Sequence, residues 1–251
     1  MVDETREVNA MCGRYAIIDG KRVLATFPLL QQVIERDKAL AELPRYNAAP
    51  MQRLPVIAYR DGALVAERMQ WWLIPHWSKE PKSKFSTFNA KSETIEKSRL
   101  FAPYFKSSRC LVPADAFYEW KKETVKKDVG GRQRVVSIKQ PYCVRMEDEI
   151  PFMFAGLFSV WRDEKHETEL PSFSILTTTP NELMSGIHNR MPVILPPESF
   201  GPWLDRDNHD TGSLKQLLRP YSSERMKAYP VSRIVNSGQN DVRECIIPLE
   251  G

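Results

Sequence analysis

Nineteen prolines, spread along a chain of 251 residues, cut its apolar segments into short runs and leave little room for long helices. Tyr15 to Ile18 reads as a strand ended by Asp19-Gly20, and Val23 to Arg36 carries apolar residues at helical intervals, interrupted near its start by Pro28. Pro44 to Pro55 is extended and turn-rich. Val56 to Tyr59 and Ala63 to Met69, joined by Asp61-Gly62, form a hairpin signal. Ser92 to Leu100 reads as a short helix with Asn89 or Ser92 as its N-cap. Buried strands are expected at Cys110 to Pro113, Ala116 to Trp120, Tyr142 to Arg145, Phe152 to Trp161 and Ser172 to Thr178. Lys121 to Arg134, charged and containing Gly130-Gly131, reads as an exposed hairpin tip. Further helical turns fall at Asn181 to Ser185, Pro197 to Leu204 and Ser213 to Leu218, with a closing strand at Met226 to Ile234. Short strands with a few scattered helices predict an α+β fold on an irregular, antiparallel-rich sheet.

With 42% hydrophobic and 10% aromatic residues, the chain can bury a core without disulfides or metal, and one domain is expected. Met1 to Ala10 has no apolar run, so it is neither a signal peptide nor an anchor, and no other segment has the length of a membrane span. Cys12, Cys110, Cys143 and Cys245 fit no metal-ligand spacing, which points to reduced thiols in the cytoplasm and to no metal. The net charge of +4 is mild, but Lys79 to Arg109 holds eight basic residues against three acidic ones. Such a segment follows a phosphate backbone or is simply a solvated face. No dinucleotide fingerprint, phosphate loop, nucleophile elbow, zinc-protease helix or calcium loop occurs, so neither a nucleotide cofactor nor any other cofactor is expected.

Four polar clusters interrupt apolar segments. Cys12, in Met-Cys-Gly-Arg-Tyr, reads as a small core residue or as a nucleophile. Asn89, in Phe-Asn-Ala-Lys-Ser-Glu-Thr, reads as a helix cap or a positioning group. Glu119 lies between Tyr118 and Trp120 and shares a strand face with Phe117, so aromatic desolvation would raise its pKa for proton transfer, unless it is a solvated edge glutamate. His188 and Arg190 precede an apolar strand, where a structural histidine is the alternative.

Taken in order, MCGRY at Met11, YNAAPMQ at Tyr46, MQWWLIPHW at Met69, FNAKSET at Phe88, RCLVPADAFYEW at Arg109, KQPYCV at Lys139, FAGLF at Phe154, ILTTTPNELMSGIHNRMPVIL at Ile175 and PVSRIVN at Pro230 resemble the SOS response-associated peptidase (SRAP) family over nearly the whole chain. The resemblance implies a single α+β domain whose bifurcated sheet forms a pseudo-barrel. It implies a DNA-repair protein that captures abasic sites in single-stranded DNA, and a monomer is expected. Cys12 would be the nucleophile, Asn89 a positioning group, Glu119 a proton-transfer group and His188 its partner in ring opening. Arg14, Arg99 and Arg190 fall where such proteins contact phosphates. Lys91 stands where the family usually has arginine, keeping a charge but losing bidentate geometry. Trp72 stands where glycine is common and, beside Trp71, adds a stacking surface or more core.

That chemistry requires a free α-amine on Cys12. An aldehyde and an amine give a hydrolysable Schiff base, and the thiol of the same residue then closes a thiazolidine ring on the same carbon. An α-amine, with a reference pKa of about 7.7 to 8.0, is partly neutral at physiological pH. Residues 1–11 are therefore expected to be a leader or a misassigned start, absent from an active form spanning residues 12–251. Two other classes compete. A cysteine peptidase acting on other proteins would use Cys12, His188 and Glu119. A non-covalent single-strand-binding module would use Trp71, Trp72 and the basic segment.

Overall fold

The computed structural model describes residues 12–36, 38–83, 85–128, 130, 133–163 and 167–250. Its strands are β1 (Tyr15–Ile17), β2 (Ile34–Glu35), β3 (Arg45–Ala48), β4 (Arg53–Arg60), β5 (Ala63–Trp71), β6 (Asn89–Lys91), β7 (Arg109–Ala114), β8 (Ala116–Asp128), β9 (Gln133–Met146), β10 (Phe152–Asp163), β11 (Thr168–Thr178), β12 (Met191–Pro192), β13 (Ile194–Leu195) and β14 (Met226–Pro230). The helices are short: α1 (Gly20–Thr26), α2 (Ala102–Ser107), α3 (Glu182–Ser185), α4 (Phe200–Leu204) and α5 (Thr211–Gln216).

Strands β4, β5, β11, β10 and β7 close on themselves. Antiparallel ladders join β4 to β5, β11 to β10, β10 to β7 and β7 to β4, and a short parallel ladder of β5 with β11, pairing Trp71 with Phe173, seals the ring. Closure removes the open edges that would otherwise invite pairing with another chain. Because side chains alternate, Leu54, Val56 and Ala58 of β4, Met69 and Trp71 of β5, Cys110 and Val112 of β7, Phe154 of β10 and Phe173 and Ile175 of β11 share one buried cluster. Helices α1, α4 and α5 pack on the other face, over Ile57, Leu111, Met153 and Leu176, so the first face lines the interior. Arg60, Glu67 and Glu169 continue that inward register to the lower mouth, where Arg60 bonds both glutamates.

A second sheet, ordered β14-β9-β8-β1-β3, leaves the barrel where β7 runs into β8. Asp115 marks the junction: its backbone N–H donates to the Ala16 carbonyl at 2.8 Å, and its carboxylate accepts from the Ile18 N–H at 2.7 Å. One long strand therefore belongs to two sheets, the bifurcation the resemblance implies. Tyr15 of β1 reaches into the barrel and meets Trp71 edge-on, with ring centroids 5.1 Å apart.

The hairpin of β4 and β5 forms at Asp61-Gly62, both with positive φ. Several boundaries differ from the sequence reading. Val23 to Arg36 is not one helix, because Phe27, preceding Pro28, takes an extended backbone (φ −117°, ψ 117°), ends α1, and is followed by a 3-10 turn and β2. Ser92–Lys97 is 3-10, its N-cap is Lys91, and Asn89 lies in β6, so Asn89 caps nothing. The closing strand stops at Pro230 and yields to a 3-10 turn at Arg233–Asn236. Lys121 to Arg134 is strand on both arms, up to Asp128 and from Gln133.

Candidate active site

Glu119 is the fourth residue of β8, two beyond Phe117, the last that pairs with β1, and its strand position turns it inward beside Phe117. Its side chain is almost completely buried, and burial raises its pKa to about 8, against the opposing pull of hydrogen bonds from the Cys12 and Trp120 backbone N–H groups. At neutral pH it is a carboxylic acid. The Cys12 backbone nitrogen donates to Oε1 at 2.7 Å, so Oε1 is the carbonyl oxygen and the proton belongs on Oε2.

Cys12 has a left-handed backbone (φ 38°), a conformation that a residue with a Cβ holds at a cost of about 1 to 2 kcal/mol unless its surroundings fix it. Both ends of the residue are fixed. Glu119 takes its N–H, and Asn89 Nδ2 donates to its carbonyl at 3.4 Å. Asn89 is itself placed by the parallel register of β6 with β11, opposite Ile175. The Cys12 thiol is fully buried, and burial first, then the proximity of Glu119, pushes its pKa well above the ordinary value. It is a thiol, not a thiolate, in this arrangement.

His188 follows α3, with its backbone N–H bonded to the Met184 carbonyl at 2.8 Å. Its Nδ1 lies 3.8 Å from Glu119 Oε2, and burial lowers its pKa. A neutral imidazole facing a neutral carboxyl is not an ion pair. Nδ1 lies 3.2 Å from the Arg190 backbone N–H and 3.3 Å from the Arg190 carbonyl, so the Arg190 backbone holds this nitrogen in either tautomer. The Arg190 guanidinium is held by both Glu93 oxygens and, at 2.7 Å, by the Thr177 carbonyl. The four residues singled out as catalytic thus converge from β6, β8, the chain before β1 and the loop after α3.

A family model described as SOS response associated peptidase (SRAP) matches residues 11–238. The chain belongs to that family. Among its relatives, the abasic site processing protein YoqW of Bacillus subtilis is 36% identical over 242 residues, covering 94% of this chain and 99% of that protein. The abasic site processing protein HMCES of Gallus gallus is 34% identical, covering 82% and 67% respectively. A solved structure from Bacteroides thetaiotaomicron shares the fold with a TM-score of 0.78 at 24% identity, over 95% of this chain and all of that one. A phage-related protein from Bordetella bronchiseptica superposes with a TM-score of 0.64 at 31% identity, over 88% of this chain and 95% of the other.

Within this SRAP fold the residues expected to meet DNA are treated unequally. Lys91 and Arg99 are exposed. Arg14 is half-buried, donating to the Gly13 and Asn236 carbonyls. The Arg190 side chain is only 12% exposed and already paired with Glu93. Trp71 corrects the sequence reading: it is fully buried, stacked on Phe173 with an interplanar angle of 9°, and donates its indole N–H to the Phe88 carbonyl. It fills the barrel and has no face to offer a base. Trp72, next in the alternation, is half-buried against Phe88.

The sequence reading passed over the aromatics that are exposed, Trp77 (61%) and Phe85 (69%), which line a groove of about 430 Å³ with Pro75 and Leu100 beside Lys79 and Lys82. Glu93 and Thr177, which hold Arg190, carry no signal of that role in the sequence. Asn47 of the YNAAPMQ block is structural: its amide donates to the Val235, Ser237 and Asn240 carbonyls and fixes the loop beside Arg14. A larger cavity of about 620 Å³, lined by Leu29, Tyr59, Asp205 and His209, includes none of the converging residues. Among the described residues, no helix is long and apolar enough to cross a membrane, and no cluster of His, Cys, Asp or Glu could hold a metal ion.

Proposed function

We propose that this SRAP protein captures abasic sites in single-stranded DNA as a covalent thiazolidine on Cys12. One observation carries the reading: the buried Glu119 carboxyl contacts the nitrogen of Cys12, at 2.7 Å, while the thiol has a raised pKa. A cysteine peptidase needs a base at the thiol; an amine-first reaction needs one at the nitrogen. The names of the relatives, abasic site processing proteins, point the same way.

As an α-amine, the Cys12 nitrogen would have a reference pKa of about 7.7 to 8.0, close to the value of about 8 for Glu119. Matched values let a proton pass either way at small driving force, which suits a group that must act as base and then as acid. The amine adds to the aldehyde carbon. Glu119 gives a proton to the departing hydroxyl, water leaves, and the thiol adds across the resulting C=N bond while its proton returns to nitrogen. Asn89 holds the Cys12 carbonyl and so aims the amine. His188, a short shift from Glu119, handles the sugar oxygen as the ring opens. Lys91, Arg99 and Arg14 take phosphates, and Arg190 joins them when Glu93 releases it.

The active form begins at Cys12. Residues 1–11 lie outside the described residues, and two routes would remove them. Met11 is the initiating methionine and is excised, or the Cys12 thiol attacks the Met11 carbonyl in an N-to-S acyl shift and water then cleaves the thioester. For the second route Glu119, whose Oε1 already accepts from the departing nitrogen, is the acid once its carboxyl turns to bring the Oε2 proton to that nitrogen.

The test is a denaturing gel after incubation with an oligonucleotide carrying an abasic site, with intact-mass measurement of the protein. A heat- and SDS-stable band that Cys12→Ala abolishes is expected, from a chain starting at Cys12. A full-length, unprocessed chain that cross-links stably overturns the amine mechanism, and a Cys12→Ala band overturns the nucleophile.

A further inference from the structure

The hairpin of β8 and β9 outruns the sheet that roots it. Strand β14 pairs with β9 only over Tyr142–Met146, and β1 pairs with β8 only at Ala116 and Phe117. From Lys121 paired with Gln140 outward to Asp128 paired with Gln133, the ladder joins the two arms to each other. At about 3.3 Å per residue this free ribbon is about 25 Å long. It carries Lys121, Lys122, Lys126, Lys127, Arg134 and Lys139 against two acids, Glu123 and Asp128.

A two-stranded ribbon is marginal in water. In its register Lys122 is opposite Lys139. Alternation puts Lys122, Lys126 and Lys139 on one exposed face. That face is also Trp120's, and the Trp120 indole N–H donates to the side chain of Asn236, whose carbonyl accepts from Arg14. The basic face therefore starts at the phosphate-side arginine of the site and leads away from it on the same strand that bears Glu119.

We propose that this ribbon is a second DNA-binding element, which grips the phosphate backbone beyond the reacting nucleotide and lengthens the footprint of the protein on its substrate. The inference rests on the DNA reading given above. Lys122, Lys126 and Lys139 along one exposed face match a polyanion, and continuity with Arg14 makes the substrate strand that polyanion.

The experiment compares the parent with a Lys122→Thr, Lys126→Thr, Lys139→Thr variant on two abasic oligonucleotides, one of about six nucleotides that fills only the reaction site and one of about thirty. Threonine suits a strand, and the melting temperature reports whether the variant is folded. On the long oligonucleotide, affinity at 0.1 M salt is expected to drop about 10- to 100-fold, and the slope of log affinity against log salt to fall by about 2. On the short one, the cross-linking rate stays at the parental value. A matching lysine-to-arginine variant keeps the parental slope. Parental affinity and slope in the threonine variant overturn the ribbon while leaving the reaction site standing. A parent that cross-links neither oligonucleotide overturns the DNA reading itself, and the ribbon with it.

Discussion

At the lower mouth of the barrel Arg60 spans Glu67 and Glu169, and Arg162 adds a second cation to Glu169. Those two arginines hold Glu169 below the usual carboxylate range. At the other end Glu119 is more deeply buried, faces a neutral histidine, and is pushed up to about 8. The same side chain is fixed as an anion in one place and kept as an acid in the other, and the difference is whether a cation is supplied to meet it. The lower cluster plugs and braces. The upper one is left with a proton it can give up near neutrality, the property that general acid–base work needs.

The contrast breaks most completely at Glu119→Gln, which keeps the shape and the acceptor for the Cys12 nitrogen but removes the titrating proton. Cross-linking is expected to slow by about 10²- to 10⁴-fold, with loss of any alkaline limb near pH 8, as measured by quenched time courses across pH. The same variant tests the cost of the arrangement. The folded-state pKa of Glu119 lies above its unfolded value, so its contribution to stability is fully present below about pH 4.5 and is lost as pH rises through about 8. Glu119→Gln should therefore unfold later than the parent at pH 8, by on the order of 2 to 4 kcal/mol, and show little difference at pH 4.5. Denaturant titrations at the two values check it.

Arg60→Met attacks the other end. It strands Glu67 at the barrel mouth, leaves Glu169 to Arg162 alone, and should destabilise the fold by about 3 to 5 kcal/mol, with the cross-linking rate per folded molecule unchanged. A loss of rate in a folded Arg60→Met protein would mean the two mouths are coupled. Arg162→Ala sharpens the comparison from below: its ion pair with Glu169 is largely solvated, and a loss of no more than about 1 kcal/mol is expected from thermal unfolding.

Local signals carried the elements whose cause is local. Asp61-Gly62 announced its hairpin because both residues tolerate positive φ, and Asn181 announced α3 because its side chain caps the Met184 N–H. Phe117 and Glu119 were readable as sharing a face from strand periodicity alone. The burial of Trp71 follows from the same alternation, since Met69 and Trp71 share the inward face while Trp72 follows the last strand residue. Glu93 gripping Arg190 was not readable, since 97 residues separate them and only the parallel entry of β6 beside β11 brings them together. Nor does any pattern show that Glu119 contacts the nitrogen of Cys12 rather than its sulfur. That depends on the left-handed turn at Cys12, which a sequence does not mark at a residue with a Cβ.

The uninterrupted run of β8 from Glu119 into the ribbon sets a rule of parity on how the chain can vary. Adding one residue to one arm would rotate the lysines outward of it on that arm to the opposite face, whereas adding two to each arm keeps the faces and extends the ribbon by about 6.6 Å. Length can therefore change in matched even steps without disturbing the reaction site, and the arm is a part that can be tuned to the reach of its substrate while the chemistry at its root stays fixed.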